Sequence, residues 1–317
     1  MRVLLLGADG FIGSRVADLL LADPSVELVV LGRRDSSDIR FDLATGSPGA
    51  LVPFLDAVAP RAVVNCVGAT RGPARTMVRA NTVAVATLCE AMRRSRHAAR
   101  LVHLGSAAEY GSAQVGVAIS EDAEPQPTGA FATAKLAGTE LVLGSGLDAV
   151  VLRLFTVTGP GTPRHSPLGR IAEGLRSAMQ SGERHLDVPD LSGFRDFVDV
   201  RDVARAVRAA MVSAAGGVVN IGSGSPTRMR AAAGLLARSA GWTGRFREEG
   251  GLRPPVPPVR HPGHAPAAGH HHGPGHHEDL VWQQADIRTA RERLGWRPRI
   301  PLDESVADVW MEAACRI

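Results

Sequence analysis

The segment RVLLLGADGFIG, near the start of the chain, constrains the fold more than any other part of the sequence. Its apolar run, residues 2–7, predicts a buried strand, and the apolar spacing of residues 11–24 predicts a helix that ends at Pro24. Glycines between them permit a tight turn and bring the backbone close to a bound pyrophosphate, whose charge the helix N-terminus would face. We therefore predict a dinucleotide-binding turn, formed by Gly7, Gly10, Phe11, Ile12 and Gly13.

The same alternation of strand and helix patterns continues through the first half of the chain. Strands are predicted at 27–32, 62–68, 99–106 and 149–159, and helices at 51–59, 77–95 and 131–145. Apolar strands that alternate with helices indicate a parallel sheet covered on both faces, with ligands at the carboxyl ends of its strands. The predicted fold class is α/β, a Rossmann-type doubly wound parallel sheet with a smaller C-terminal substrate-binding lobe.

The second half of the chain has a less regular pattern. Helices are predicted at 166–182, 198–214 and 229–241, and a strand at 216–224. We predict that residues 1–160, with a contribution from 195–224, bind the cofactor, and that residues 161–317 form the substrate lobe. The cleft between the two is the expected site.

Composition excludes several classes of protein. Hydrophobic residues make up 44% of the chain and charged residues 21%, which is typical of a soluble globular protein, and no apolar run is long enough to span a membrane. The formal net charge is +4, but the arginines are scattered and aromatics are only 4%, so nucleic-acid binding is not expected. Three cysteines at unrelated spacings indicate a reducing, cytoplasmic location.

The end of the second predicted strand bears on the choice of cofactor. Arg33 and Arg34 follow this strand, at a position where a carboxylate would bind the ribose 2′-hydroxyl of NAD. Guanidinium groups there suit the 2′-phosphate of NADP instead. NADPH is therefore the expected cofactor, and NAD remains possible because Asp35 comes next in the chain.

Residues 251–277 are biased towards proline, glycine and histidine. This composition predicts a flexible loop rather than part of a core. Seven of the eleven histidines lie here, but a flexible segment does not fix ligands at the distances that a metal ion requires, so no metal site is predicted.

Several motifs together resemble one family, the NAD-dependent epimerase/dehydratases, which are extended short-chain dehydrogenases/reductases. The resemblance spans nearly the whole chain. It rests on the glycine turn, the stretches GSAAEYG (105–111), LRLFTVTGPG (152–161) and FRDFVDVRDVA (194–204), and the ending LGWRPRIPLDESV (294–306). It implies further cofactor contacts at Asp42, Leu43, Val67, Gly68, Ala69, Asn81 and Lys135. It also implies a homodimer formed through the helices predicted at 77–95 and 131–145.

The resemblance also implies how a substrate would bind. Arg195 would contact the diphosphate of a nucleotide sugar, Arg253 is a candidate for a second such contact, and Thr156 replaces a usual Asn of the family. Dehydratases of this family place acid and base residues where this chain has Ala107 and Ala108, which have no proton to give. The stretch SAAEYG resembles instead the reductases of nucleotide-linked 4-keto-6-deoxysugars.

The catalytic position is unusual. The resemblance implies a Ser, a Tyr and a Lys; Ser106 and Lys135 are present, but Phe131 stands at the Tyr position, and Lys135 is the only lysine of the chain. Four explanations are open: a tyrosine replaced to trap a complex, another proton donor with Ser106 as the nearest, a cofactor-binding protein without catalysis, or a misplaced alignment. Tyr110, the only tyrosine, is expected to have a structural role.

The expected activity is NADP(H)-dependent reduction of the 4-keto group of a nucleotide-diphosphate 4-keto-6-deoxysugar. Three alternatives are a nucleotide-sugar 4-epimerase, a ketoreductase acting on a non-sugar natural product, and a catalytically silent cofactor-binding protein.

Overall fold

The computed structural model describes residues 1–248 and 282–316. The strands are β1 Arg2–Leu6, β2 Glu27–Gly32, β3 Ile39–Arg40, β4 Ala62–Asn65, β5 Arg100–Ser106, β6 Ala149–Leu154, β7 Thr156–Thr158, β8 His185–Val188, β9 Phe194–Asp199, β10 Gly217–Ile221, β11 Pro226–Arg228 and β12 Arg245–Glu248. The helices are α1 Phe11–Leu21, α2 Pro48–Val58, α3 Ala74–Val78, α4 Ala84–Arg94, α5 Gly129–Leu143, α6 Pro167–Ser181, α7 Val200–Val212, α8 Met229–Ser239, α9 Arg288–Leu294 and α10 Leu302–Ala314. A π-helical segment, Arg79–Val83, joins α3 to α4, and a 3₁₀ turn, Ala107–Tyr110, follows β5.

Seven strands form the main sheet, in the order β3-β2-β1-β4-β5-β6-β10. Every neighbouring pair in it is parallel. The chain builds outward from β1 to β3 and then crosses back to place β4 on the other side of β1. This reversal separates the loops that follow β1 and β4, which creates a crevice at the carboxyl ends of the strands. The doubly wound parallel fold predicted from the sequence is confirmed.

Alternate residues of the strands enter two separate cores. Val3 and Leu5 of β1 belong to a core on the side of α1 and α7, whereas Leu4 and Leu6 belong to a core on the side of α2 and α4. All four side chains are fully buried. Because helices cover both faces of the sheet, the sequence of β1 is a continuous apolar run rather than an alternation of apolar and polar residues.

A third core lies in the C-terminal part of the chain. It contains apolar side chains of α6, α8 and α10, among them Leu175, Leu236 and Val309. Two smaller sheets accompany it, β11-β9-β7 and β12-β8.

The predicted strand 149–159 is wrong as a single element. It divides into β6, in the main sheet, and β7, in the small sheet with β9. The division occurs at Phe155, whose N–H donates to the carbonyl of Ile221, 2.9 Å away, on the edge strand β10. Nothing in the apolar run itself marks where the chain leaves one sheet for the other.

The predicted helix 198–214 begins later than the sequence pattern indicates. Residues 194–199 form β9, and α7 begins at Val200 because Asp199 caps it by accepting a hydrogen bond from the Arg201 N–H at 2.8 Å. The predicted helix 77–95 starts earlier, at Ala74, and contains the π-helical segment.

Within residues 1–248 and 282–316, no helix is both long and apolar enough to cross a membrane. Over the same residues, no cluster of histidine, cysteine, aspartate and glutamate has the arrangement of a metal site. The proline-, glycine- and histidine-rich segment 251–277, with Arg253, lies outside the described residues.

Candidate active site

The glycine turn joins the carboxyl end of β1 to α1 and leaves no space for a side chain at Gly7 or Gly13. Gly7 has a φ of +81°, and a Cβ there would lie 2.9 Å from the carbonyl carbon of Cys66. A Cβ on Gly13 would overlap the Gly7 carbonyl oxygen and lie 2.7 Å from its carbon. Gly10 precedes the helix without any side-chain cap, so the first N–H groups of α1 are available to an anion. The turn therefore fits the pyrophosphate of a dinucleotide.

Phe11 and Ile12 open α1 and are both half-buried. Ile12 packs against the core on the α1 side of the sheet, and Phe11 lies close to the backbone of Gly161, where a Cβ would approach its ring to 3.2 Å. These two side chains thus fix the start of the helix against the main sheet and the loop after β7.

The loop after β2 carries the residues predicted to discriminate between cofactors. Arg33 and Arg34 are both exposed, and Arg34 Nε lies 3.5 Å from Oδ2 of Asp9 in the glycine turn. Asp35 instead pairs with Arg40, with 2.9 Å between Oδ1 and Nη1. Arg34 thus lies next to the glycine turn, whereas the Asp35 carboxylate is paired with Arg40.

Asp42 and Leu43 follow β3. The Asp42 side chain accepts a hydrogen bond from the Ala44 N–H at 2.9 Å, which stabilises the turn. Leu43 is buried in the core on the α2 side.

The loop after β4, residues 67–69, is held by two buried asparagines. Asn81, fully buried in the π-helical segment, accepts from the Ala69 N–H at 3.1 Å and donates to the Ala69 carbonyl at 2.8 Å. Asn65 accepts from the Val67 N–H at 3.0 Å. Gly68 lies between them, where a Cβ would come within 2.9 Å of the Asn81 Oδ1. Hydrogen bonds to the two asparagines therefore anchor the loop at both ends.

Lys135 reaches from α5 to the end of β5. Its Nζ donates to the Leu104 carbonyl at 2.8 Å and lies 3.3 Å from where a Gly68 Cβ would be. The residue is only 8% exposed. Burial lowers the pKa of the ammonium, while nearby Glu109 and Cys66 act in the opposite direction. Lys135 is thus placed between the loop after β4 and the carboxyl end of β5.

Ser106 is the last residue of β5 and the N-cap of the 3₁₀ turn. Its Oγ accepts from the Ala108 N–H at 3.2 Å, and its own N–H donates to Oε1 of Glu109 at 2.7 Å. The hydroxyl proton is not used by this cap, so Ser106 can still donate a hydrogen bond to a ligand. Ala107 and Ala108, which follow, are buried and carry no proton donor.

Tyr110 lies in the protein interior. Its hydroxyl donates to Asn220 Oδ1 at 2.8 Å, and the guanidinium carbon of Arg153 lies 4.5 Å from its ring centroid. Burial raises the pKa of this phenol. These contacts support a structural role for Tyr110 rather than a replacement for the missing phenol.

The remaining predicted residues lie on three elements. Phe131, half-buried, is one turn before Lys135 on α5. Thr156 is half-buried in β7, and Arg195 is 6% exposed in the neighbouring β9. Burial lowers the pKa of Arg195 to about 10. The small sheet thus brings Thr156 and Arg195 onto adjacent strands.

The sequence patterns did not single out four buried polar residues near this site: Asn65, His103, Glu109 and Arg153. Glu109 had a local signal, since a serine followed three residues later by a glutamate is the pattern of a capping box, which Ser106 and Glu109 form. The ion pair of Glu109, in the 3₁₀ turn, with Arg153 on β6 has no local signal. The contact between Asn65 on β4 and His103 on β5 has none either.

Known proteins resemble this chain in sequence and in fold. A model of the NAD dependent epimerase/dehydratase family matches residues 3–222. A dTDP-6-deoxy-L-talose 4-dehydrogenase (NAD(P)(+)) of Kitasatospora kifunensis is 36% identical over 98% of this chain and 94% of its own length. A GDP-6-deoxy-D-mannose reductase of Pseudomonas aeruginosa is 30% identical over 74% of this chain and 79% of its own.

Among solved structures, the protein RMD of Pseudomonas aeruginosa, complexed with NADPH, has the same fold. Its TM-score is 0.81 at 23% identity, covering 100% of this chain and 99% of that one. The family resemblance identified from the motifs is therefore confirmed. With a family model over most of its length and a relative aligned from end to end, this chain belongs to the NAD-dependent epimerase/dehydratase family.

Proposed function

We propose that this protein is an NADP(H)-dependent oxidoreductase that reduces the 4-keto group of a nucleotide-diphosphate 4-keto-6-deoxysugar. The observation that carries the proposal is the end of β5, where Ser106 is followed by two buried alanines and approached by Lys135. This arrangement retains groups that bind a ketone and a cofactor but lacks the acid and base that a dehydration needs. The two curated relatives described above are both named for nucleotide-linked 6-deoxysugars.

Several residues near the crevice have a role in the proposed reaction. The glycine turn holds the pyrophosphate, Asn81 keeps residues 67–69 in place along the cofactor, and Lys135 binds the nicotinamide ribose. Bound NADPH supplies a hydride to the keto carbon. Ser106 donates a hydrogen bond to the keto oxygen, which stabilises the negative charge that develops there. With Phe131 at the Tyr position, Ser106 is also the nearest candidate to supply the proton that completes the alcohol.

The substrate contacts are proposed for the small sheet. Arg195, buried in β9, is a bidentate donor for the diphosphate, and Thr156 on β7 contacts the sugar. Arg253 is a second candidate for the diphosphate and lies outside the described residues. The described part of the predicted substrate lobe, residues 161–248 and 282–316, would close the crevice from the side opposite the cofactor.

The proposal is tested by following NADPH oxidation with a panel of GDP- and dTDP-4-keto-6-deoxyhexoses, using the chain and its Phe131→Tyr variant. Turnover of either the GDP-linked or the dTDP-linked 4-keto-6-deoxyhexoses, by either protein, supports the proposed 4-keto reduction. Interconversion of 4-hydroxy epimers with retained NAD would favour a 4-epimerase. Turnover of a non-sugar ketone that nucleotide diphosphates do not inhibit would favour a natural-product reductase, and cofactor binding without turnover by either protein would favour a silent module.

The cofactor preference gives a prediction of its own. Arg34→Ala is expected to weaken NADPH binding about 10–100-fold and to leave NADH binding unchanged, because a hydrogen bond to a charged group contributes about 1.5–3 kcal/mol. Isothermal titration of both cofactors measures this. Arg61→Ala is the control, since Arg61 is exposed at the amino end of β4. Equal losses for NADPH and NADH would contradict the assignment of Arg34 to the 2′-phosphate.

We also propose a homodimer formed by the helices α3 to α5. Exposed apolar side chains lie on these elements, at Val78, Val83 and Leu141. Covering them with a second copy would bury apolar surface. Light scattering in solution should give twice the 33.3 kDa chain mass, and a monomer at micromolar concentration would refute the dimer.

A further inference from the structure

Asp196, the neighbour of Arg195 in β9, has a fully buried carboxylate that accepts four hydrogen bonds. Its Oδ1 accepts from the N–H and from the hydroxyl of Ser223, the hydroxyl at 2.7 Å. Its Oδ2 accepts from the N–H of Gly224 at 2.8 Å and from the N–H of Ala285 at 2.9 Å. Both oxygens are therefore used, and the carboxylate joins three segments that are far apart in the chain.

The first of these segments, residues 222–225, is the exit of β10, the edge strand of the main sheet. It packs directly on the carboxylate: a Cβ on Gly222 would lie 3.0 Å from Oδ2 of Asp196 and 2.6 Å from the Cβ of Ala285. The Ser223 Oγ also accepts from the Ser225 N–H at 3.1 Å, which closes the turn around the bonded hydroxyl. Asp196 thus connects the small sheet to the edge of the main sheet.

The second segment, residues 282–286, lies between β9 and the loop that follows the 3₁₀ turn. On one side, the Gln283 N–H donates to the Phe194 carbonyl at 3.1 Å. On the other side, the Ile119 N–H donates to the Gln284 carbonyl at 2.8 Å. The bond from Ala285 to Asp196 therefore lies where β9, the exit of β10 and the loop after the 3₁₀ turn meet.

The position of Arg195 depends on this junction through the strand that it shares with Asp196. Successive side chains of a strand project to opposite faces, so the Arg195 side chain leaves β9 on the face opposite the four hydrogen bonds. Its strand is paired on both edges, with Thr227 of β11 opposite Arg195 and with β7 on the other side. Fixing the Asp196 carboxylate therefore fixes the backbone from which the buried guanidinium extends.

We propose that Asp196 is a positioning residue for substrate binding: its four hydrogen bonds hold β9 against the exit of β10 and thereby place Arg195 for the diphosphate of the substrate. The inference rests on the proposed function, in which Arg195 is a bidentate donor. Such a fork of two parallel hydrogen bonds depends on geometry as well as on charge, so a displaced strand weakens it even when the guanidinium is intact.

Asp196→Asn is the first variant to measure. It keeps the shape of the side chain but places an NH₂ donor where an oxygen now accepts from N–H groups, so at least one of the four hydrogen bonds is lost. We expect dTDP and GDP, used as probes, to bind about 10-fold more weakly or worse in isothermal titration, and NADPH to bind as before. Asp303→Asn, exposed in the first turn of α10, is the matched control and should leave all three affinities unchanged.

A double-mutant cycle separates positioning from a general loss of structure. If Asp196 acts through Arg195, then Arg195→Ala combined with Asp196→Asn should bind dTDP and GDP no more weakly than Arg195→Ala alone. Losses that add fully in the double variant would overturn the positioning role, because they would show that Asp196 affects nucleotide affinity independently of Arg195.

Ser223→Ala guards against a folding failure, since it removes one hydrogen bond and leaves the carboxylate with its three backbone donors. It is expected to weaken dTDP and GDP binding about 2–10-fold. Unchanged affinity for the nucleotide that the unmodified chain binds, in both folded variants, would overturn the inference.

Hydrogen–deuterium exchange tests the junction without any ligand. Asp196→Asn and Ser223→Ala should speed exchange in peptides that cover 194–199, 222–228 and 282–287, and leave exchange in 2–65 unchanged. Unaltered exchange in the first three peptides would overturn the role of Asp196, whatever the substrate is. Failure of the unmodified chain to bind dTDP or GDP would overturn the proposed substrate class instead, so the two failures are distinguishable.

Discussion

Phe131→Tyr is expected to raise the rate of NADPH oxidation with a 4-keto nucleotide sugar by about 10²–10⁴-fold, the usual contribution of a positioned general acid. The substitution adds one hydroxyl to a half-buried ring that lies one turn before Lys135 on α5. A neighbouring ammonium favours the anionic form of a phenol, which brings its pKa towards the working pH. The new hydroxyl would deliver the proton that the ketone oxygen takes up when hydride is transferred.

Steady-state rates of the chain, of Phe131→Tyr and of Phe54→Tyr measure this effect. Phe54 is 39% exposed on α2, an element that carries none of Ser106, Phe131 and Lys135, so its variant should match the unmodified chain. A large gain in the rate of NADPH oxidation for Phe131→Tyr alone would support the interpretation that this chain is a disabled or altered form of an ordinary reductase. Equal rates for all three proteins would mean that the proton comes from elsewhere, and Ser106→Ala would then be the next variant to measure.

Gly13→Ala is expected to abolish dinucleotide binding, with at least a 100-fold loss of NADPH affinity, and to destabilise the fold by about 1–3 kcal/mol. The added Cβ would overlap the carbonyl group of Gly7, which is backbone and cannot move without shifting α1 away from β1. The N–H groups at the start of α1 would then no longer face the pyrophosphate.

NADPH titration and urea unfolding of the same samples measure both effects. Gly49→Ala is the matched control because a Cβ there meets nothing within 4 Å, at the start of α2. Alanine is a better helix former than glycine, so this control is expected to bind NADPH normally and to be no less stable. NADPH affinity retained in Gly13→Ala would contradict the placement of the dinucleotide at this turn.

The predicted sites differ in how far the sequence could specify them. The glycine turn could be predicted because its strand, its turn and its helix are consecutive in the chain, and the crowding at Gly7 and Gly13 agrees with that interpretation. Arg33 and Arg34 were identified by their position after β2, but the pairing of Arg34 with Asp9 brings together two loops that only the sheet places side by side.

By itself, the sequence determined the doubly wound fold, because strand and helix periodicities are set by the backbone and can be recognised within a few residues. The tertiary structure decided which polar groups meet: Lys135 with the Leu104 carbonyl, Asn81 with Ala69, and Glu109 with Arg153 on the adjacent strand. It also decided that the chain leaves the main sheet at Phe155. Such partners depend on the order of the strands and on the depth of burial, and neither is a property of any local stretch of sequence.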